Sequence, residues 1–146
     1  MKRGQISLDF LFAITLITLT MVNVVYIANS ERAHSETFDT VTKLKAFSID
    51  IRDTVVKVYS SGDGFSVRKG FPIELGEGDR VNVSLITPNS LIVNASIGQR
   101  SYIIVQQIPI ILHENSSVIL TRERTEFVIT ADYDETEGRL DVVLSS

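Results

Sequence analysis

Hydrophobic and polar residues change their spacing twice along the chain, and each spacing predicts a different element. Residues 10–30 include no charge, and a helix of this length, at about 1.5 Å per residue, crosses the ~30 Å hydrocarbon layer of a membrane. From there to about residue 58, apolar residues recur every three or four positions, as in a helix with one apolar face. Beyond residue 61, apolar and polar residues tend to alternate, which is typical of strands.

The second helical segment has one apolar stripe, with charged residues between its members. No proline occurs before Pro72 and no glycine between Gly4 and Gly62. Since no residue forces a break, we predict one helix over about 6–60. We expect the stripe to pack on a sheet, and its members are Val41, Leu44, Ser48, Ile51, Val55 and Val58.

The rest of the chain predicts a head made of short antiparallel strands, separated by turns rich in glycine, proline or acidic residues. The predicted strands are 65–68, 71–75, 80–87, 90–97, 101–107, 110–113, 117–122, 126–132 and 139–144. The expected fold class is therefore α+β. It combines a long N-terminal α-helix, transmembrane and then amphipathic, with an antiparallel β-sandwich-like head on which the helix packs.

The charges on either side of the apolar segment predict its orientation. Lys2 and Arg3 precede the segment, whereas Glu31 and Arg32 follow it, and positively charged flanks stay preferentially in the cytoplasm. We therefore expect a cytoplasmic N-terminus and an extracytoplasmic head. Cleavage after the segment, as in a secretory signal peptide, is the weaker alternative, because the segment is long for such a peptide.

Composition excludes several classes of chemistry. The 146 residues, enough for one domain, include no cysteine and only two histidines, His34 and His113, which rules out thiol catalysis, disulfides and the commonest zinc sites. The net charge is −4 and no basic cluster follows Arg3, which argues against a nucleic acid partner. No phosphate loop, Gly-x-Ser-x-Gly or His-Glu-x-x-His motif occurs, so we expect no enzyme, cofactor or metal.

The residues just before the apolar segment form a distinctive motif, Lys2-Arg3-Gly4-Gln5-Ile6-Ser7-Leu8-Asp9. The motif resembles the class III signal peptide of archaeal type IV pilin-like proteins. In that family a basic flank is followed by glycine, by Gln-x-Ser-x-acid and by an apolar helix. Gly4, Gln5, Ser7 and Asp9 match the fixed positions, although the acid of the family is more often glutamate.

The resemblance implies a maturation step and a division of the chain. A prepilin peptidase, which is a membrane aspartyl protease, would cut between Gly4 and Gln5. Residues 1–4 would then be a leader, 5–30 a transmembrane and filament-core helix, 31–60 an amphipathic extension and 61–146 the head. The implied partners are the peptidase, other pilin subunits, the membrane before assembly and, indirectly, an assembly ATPase and platform.

Asp9 has two interpretations at this stage. From the residues alone, Ser7 caps the helix and Asp9 lies in its first turn, where the helix dipole favours a carboxylate. The resemblance instead implies that Asp9 neutralises the N-terminal ammonium of a neighbouring subunit, as a buried ion pair inside the assembled helices.

Two further patterns lie in the part of the chain expected outside the membrane. Three sequons for N-glycosylation place their asparagines at Asn82, Asn94 and Asn115, and we expect at least one of them to be modified. The acidic run 132–138 is either a hairpin turn or a calcium loop. The positions of its glycine and glutamates do not fit an EF-hand loop, which favours the turn.

The residues and the resemblance together predict a major or minor pilin of an archaeal type IV pilus-like surface filament. One alternative is a membrane-anchored accessory protein of the archaellum or pilus machinery, whose head binds a surface-layer or stator partner. A tethered sensor or substrate-binding module is a second alternative, which would need a ligand pocket. The apolar segment 101–112 predicts a central strand of the core broken at Pro109, or otherwise a sheet edge offered to the next subunit.

Overall fold

The computed structural model describes the backbone of residues 2–146 and the side chains of residues 8–32, 35 and 38–146. One helix and seven strands make up the fold. Their bounds are α1 Lys2–Ser61, β1 Ser66–Gly70, β2 Arg80–Ile86, β3 Ser90–Ile97, β4 Arg100–Gln107, β5 Ser116–Leu120, β6 Glu126–Asp134 and β7 Arg139–Ser145. The predicted α+β class with antiparallel strands is confirmed.

The predicted extent of the helix is also confirmed. α1 ends at Ser61, directly before Gly62 and Gly64, whose φ angles of 88° and 76° lie in the left-handed region that glycine enters without strain. The chain divides into two compact units, one ending at Asp39 and the other beginning at Thr40. The unit that contains the sheets therefore includes the last turns of α1.

Residues 40–61 of α1 supply one wall of the core of the head. The buried positions of this segment are Leu44, Phe47, Ser48, Ile51, Thr54, Val55 and Val58. The predicted stripe is confirmed except at Val41, which is half-buried, and it had missed Phe47 and Thr54. The ring of Phe47 packs edge-to-face against Phe71 and Phe127, with centroid distances of 5.0 and 6.3 Å.

Two polar contacts hold this helical segment against both sheets. Ser48 Oγ donates to the Lys45 carbonyl at 2.8 Å and accepts a hydrogen bond from Gln106 Nε2, on β4, at 3.3 Å. On the other side, Lys69 Nζ of β1 forms an ion pair with Asp50 at 2.8 Å. One helix thereby contacts the edge strand of each sheet.

The strands form two antiparallel sheets, with the orders β1-β6-β7 and β4-β3-β2-β5. Burial alternates along β2, β3 and β6, so each sheet turns one face towards the core and the other outwards. The sheet residues of the core are Val81, Val83, Leu85, Leu91, Val93, Ala95, Val118, Leu120, Phe127, Ile129, Ala131, Val142 and Leu144.

β5 and β7 lie side by side, one in each sheet, and we call their contact the β5–β7 seam. Ser116 Oγ accepts a hydrogen bond from the Leu144 N–H at 3.2 Å, and Asp141 Oδ2 accepts one from the His113 N–H at 3.0 Å. Asp141 is 6% exposed, and its other oxygen accepts the Val142 N–H at 3.0 Å. The seam is thus joined by side-chain-to-backbone bonds as well as by apolar packing.

Two of the nine predicted strands are wrong, those over 71–75 and 110–113, which are irregular. Pro72 lies within the first and Pro109 directly precedes the second, and proline has no N–H for a ladder. Their buried side chains, Leu75 and Leu112, still fill the core. The interpretation of 101–112 as a central strand is also wrong, because β4 is an edge strand that ends at Gln107.

Candidate functional site

The apolar part of α1 is the most distinctive surface of the chain. Over the 25 residues Leu8–Arg32 the helix is long and apolar enough to span a membrane. Every side chain in this range is exposed in the isolated chain, and its large apolar residues range from 48% exposure at Ile14 to 75% at Tyr26. So much contiguous apolar surface requires an apolar surrounding, either lipid or other protein.

The polar side chains within this segment are hydrogen-bonded to the helix itself. The hydroxyls of Thr15, Thr18 and Thr20 each donate to the carbonyl four residues earlier, at 2.8 Å. Asn23 Nδ2 donates to the Leu19 carbonyl at 3.0 Å. Since an unsatisfied donor is costly in hydrocarbon, these bonds lower the cost of placing four polar residues in an apolar medium.

The residues that resemble a processing motif lie at the start of this helix. The side chains of Lys2, Arg3, Gly4, Gln5 and Ser7 are outside the described residues. The motif's acid is described, and its side chain is exposed.

The interpretation of Asp9 as a first-turn residue capped by Ser7 is wrong, because α1 begins at Lys2, well before both residues. The stabilising field of a helix N-terminus falls off within the first turn. In the full-length chain the carboxylate of Asp9 is therefore an acidic group at the start of an apolar surface, without the benefit of a helix end.

The three sequons occupy two kinds of position in the head. Asn82 and Asn94 lie in β2 and β3, as predicted, and are direct partners across the β2–β3 ladder. Asn82 is half-buried and Asn94 is exposed. Asn115 is an exposed loop residue just before β5, and its Oδ1 accepts a hydrogen bond from the Thr87 N–H at 2.8 Å.

The acidic run 132–138 forms the end of the β6–β7 hairpin, as the turn interpretation predicted. Asp134 Oδ1 accepts hydrogen bonds from the N–H groups of Thr136 at 2.8 Å and Glu137 at 3.3 Å. These two bonds, with a smaller contribution from the charge of Arg139, lower the pKa of Asp134 below its usual value. In the described part of the chain, no three His, Asp or Glu side chains are grouped as a metal site would require.

The lowered pKa of Asp134 predicts a pH-dependent turn. Because the folded state favours the carboxylate, its stabilising effect is complete above the pKa of the unfolded chain, about 3.9. The effect is lost as the pH falls through the lower, folded pKa. In an NMR titration we expect the amide signals of Thr136 and Glu137 to shift together, with a midpoint below that of an ordinary aspartate. Asp134→Asn should abolish the shift, and a midpoint at or above 3.9 would contradict the described bonds.

Only one of the two histidines has a described side chain. His113 is exposed and its backbone N–H binds Asp141, while the side chain of His34 is outside the described residues.

Comparisons with models of protein families, with curated proteins and with solved structures give no match to this chain. A functional assignment therefore rests on the chain's own residues.

Proposed function

We propose that this protein is a pilin-like structural subunit of an archaeal type IV pilus-like surface filament. The observation that carries the proposal is the sequence order at the N-terminus: a basic flank, Gly4-Gln5, Ser7 and Asp9, then an exposed apolar helix of membrane-spanning length. The same helix, α1, also contributes a wall of the β-rich head. A subunit needs both features if its helix is to leave the lipid and pack among other helices while it carries a folded head.

In the proposed pathway the membrane first holds the subunit. The apolar segment spans the bilayer with Lys2 and Arg3 on the cytoplasmic side, and the head lies outside. Cleavage between Gly4 and Gln5 removes both of these charges, which anchor the N-terminus to the cytoplasmic face. The processed helix can then be withdrawn from the lipid at a lower electrostatic cost, and its exposed apolar side chains become buried against neighbouring helices.

Cleavage also gives the N-terminus a new charge close to Asp9. The α-amino group of Gln5 is positively charged at neutral pH, and Asp9 becomes the fifth residue of the mature chain. In a core of packed helices, an unpaired ammonium or carboxylate is strongly disfavoured, whereas the two together form an ion pair. Pairing between neighbouring subunits would therefore set the depth at which each helix enters the filament. The proposed role is structural and involves no catalytic step by this chain.

The experiment that tests this function is the intact mass and N-terminal sequence of the protein extracted from its native envelope. We expect a chain that begins at Gln5 and retains the apolar helix. A start at Met1 would instead favour the membrane-anchored accessory protein, and a start near Ser30 would indicate a secreted protein; either result contradicts the pilin proposal.

A variant pair makes the cleavage test specific. Gly4→Leu places a bulky side chain at the proposed scissile bond, so we expect the leader to be retained. Ile6→Val is the matched control, because Ile6 occupies a variable position of the motif. Normal processing of Gly4→Leu, or equal loss of processing in both variants, would contradict the proposed cleavage site.

A further inference from the structure

The outward face of the four-stranded sheet carries two sequon asparagines between apolar side chains. Asn94 on β3 is opposite Asn82 on β2. Each asparagine also has a partner on its other neighbouring strand. Asn94 pairs with Ile103 of β4, and Asn82 pairs with Ile119 of β5. The four residues thus form one row across the whole sheet, in the order Ile103, Asn94, Asn82 and Ile119.

The apolar residues near Asn94 are exposed to solvent. Ile103 is 67% exposed and Val105, two residues further along the same edge strand, is 60% exposed. Val105 is opposite Ile92, which is half-buried and precedes Asn94 by two residues on the same face of β3. These three side chains form an apolar patch on one side of the asparagine, and we call it the β3–β4 patch.

The spacing of the two asparagines limits how many sugars this face can carry. The Cβ atoms of directly opposed residues in antiparallel strands are about 4.5–5.5 Å apart, and both side chains point away from the same face. A pyranose ring with its equatorial substituents is wider than this spacing. Two N-linked glycans on Asn82 and Asn94 would therefore compete for the same space above this face of the sheet.

The surroundings of the two asparagines differ. Asn82 is half-buried between Asn94 and Ile119, and its Oδ1 accepts a hydrogen bond from the Ser84 hydroxyl at 3.3 Å. Asn94 is exposed, and Ser96, the hydroxyl residue of its sequon, is exposed as well. A bulky group is thus accommodated more easily on Asn94.

We propose that Asn82 and Asn94 are mutually exclusive glycosylation sites, that Asn94 carries the glycan, and that this glycan covers the β3–β4 patch. The inference rests on one element of the proposed function, the export of the head. A glycan is the group expected to cover the β3–β4 patch, because a sugar chain attached to Asn94 begins directly beside the exposed apolar side chains. The glycan would also make this face unavailable as a contact between protein heads.

The modification is a group transfer from an oligosaccharide linked through its anomeric carbon to a lipid phosphate. Asn94 Nδ2 forms a bond to that carbon, and the bond from the carbon to the phosphate oxygen breaks. The lipid phosphate leaves with the bonding electron pair, and the amide gives up one proton to a base. No oxidant or reductant takes part.

Trypsin provides a direct test, because the chain has arginines at positions 80, 100 and 122. Peptide 81–100 contains both Asn82 and Asn94, and peptide 101–122 contains Asn115. In protein from the native envelope, we expect peptide 81–100 to carry the mass of one glycan. Fragmentation that keeps the sugar attached should place it on Asn94.

Three serine variants separate the sequons without changing any asparagine. Ser96→Ala should remove the glycan from Asn94, leaving peptide 81–100 either unmodified or with its single glycan moved to Asn82. Ser84→Ala should leave the glycan on Asn94 unchanged. Ser117→Ala, which removes the sequon of Asn115, is the control and should not alter peptide 81–100. If Ser96→Ala reduces the amount of protein, Asn94→Gln provides a second test of the same site.

Several results would overturn the inference: two glycans on peptide 81–100, a glycan on Asn82 in the unaltered protein, or an unmodified peptide. The N-terminus of the same sample separates this failure from failure of the proposed function. A chain that begins at Gln5 with an unmodified peptide contradicts only the glycan. A chain that begins at Met1 with a glycan on Asn94 contradicts only the pilin role.

Discussion

Replacing Asp9 by alanine is expected to give a protein that, once processed to Gln5, is not incorporated into filaments. The reason is the charge that remains in the neighbouring subunit. Removing one partner of a buried ion pair costs roughly 3–5 kcal/mol, because the other charge stays buried without compensation. At about 1.4 kcal/mol for each factor of ten in an equilibrium constant, this loss would disfavour incorporation into the filament by roughly a hundredfold to a few thousandfold. The measurement is the distribution of the protein between sheared filaments and membranes.

Three further variants show whether loss of the negative charge of Asp9 is the cause of failed incorporation. Asp9→Glu keeps the carboxylate and has the acid more usual in the family, so it should be incorporated. Asp9→Asn keeps the size of the side chain but not its charge, and should fail as alanine does. Glu31→Ala removes an exposed acid near the other end of the apolar segment and should have no effect. Normal incorporation of correctly processed Asp9→Ala would contradict the assembly role of Asp9.

In the head, a large loss of stability is expected from truncating Ile51. This side chain is fully buried in the core, whereas Ile49, on the same helix, is 42% exposed. Truncation of a buried isoleucine to alanine leaves a cavity and costs about 2–5 kcal/mol. We expect Ile51→Ala to lower the free energy of unfolding by this amount, and Ile49→Ala to change it by only about 0.5 kcal/mol.

The pair is matched in residue type, in helix and in the atoms removed. Denaturant unfolding of the detergent-solubilised chain, followed by the NMR amide signals of the strands, measures both variants. Equal losses of stability would contradict the packing of residues 40–61 on the sheets.

Periodicity in the sequence predicted the regular elements of this fold. α1 and seven of the nine predicted strands follow from apolar residues at helical or alternating spacing. The failures are 71–75, which includes Pro72, and 110–113, which directly follows Pro109; both are short and mostly apolar. In both segments the apolar pattern correctly predicted buried side chains such as Leu75. It did not predict the backbone conformation, because proline cannot donate to a strand ladder.

The edge position of β4 was harder to predict. Strands that are apolar on both faces are usually central, and β4 has Ile103 and Val105 on its outward face together with Ile104 on the other. The strand order of a sheet depends on contacts between distant residues, and no local pattern in this sequence encodes it. Position at an edge was kept open only as an alternative.

The sequence alone led to the proposed N-terminal motif but not to the pairing of the two sequon asparagines in the head. The proposed processing motif is contiguous in sequence, so proposing it did not require the fold. The pairing of Asn82 with Asn94 was missed, although a hairpin centred on Pro88 makes them partners, since each is six residues away from it. The position of the turn determines the register of the two strands, and the register determines which residues are paired. This pairing could have been predicted once β2, β3 and the loop between them were assigned.

The β5–β7 seam has a mechanical consequence. Within each sheet, separating two strands breaks a ladder of backbone bonds, whereas the seam is joined by the bonds at Ser116 and Asp141 and by side-chain packing. Regions with few such bonds open at the lowest free energy. Under load, we therefore expect the head to begin to open at this seam, while the backbone ladder of each sheet is still in place.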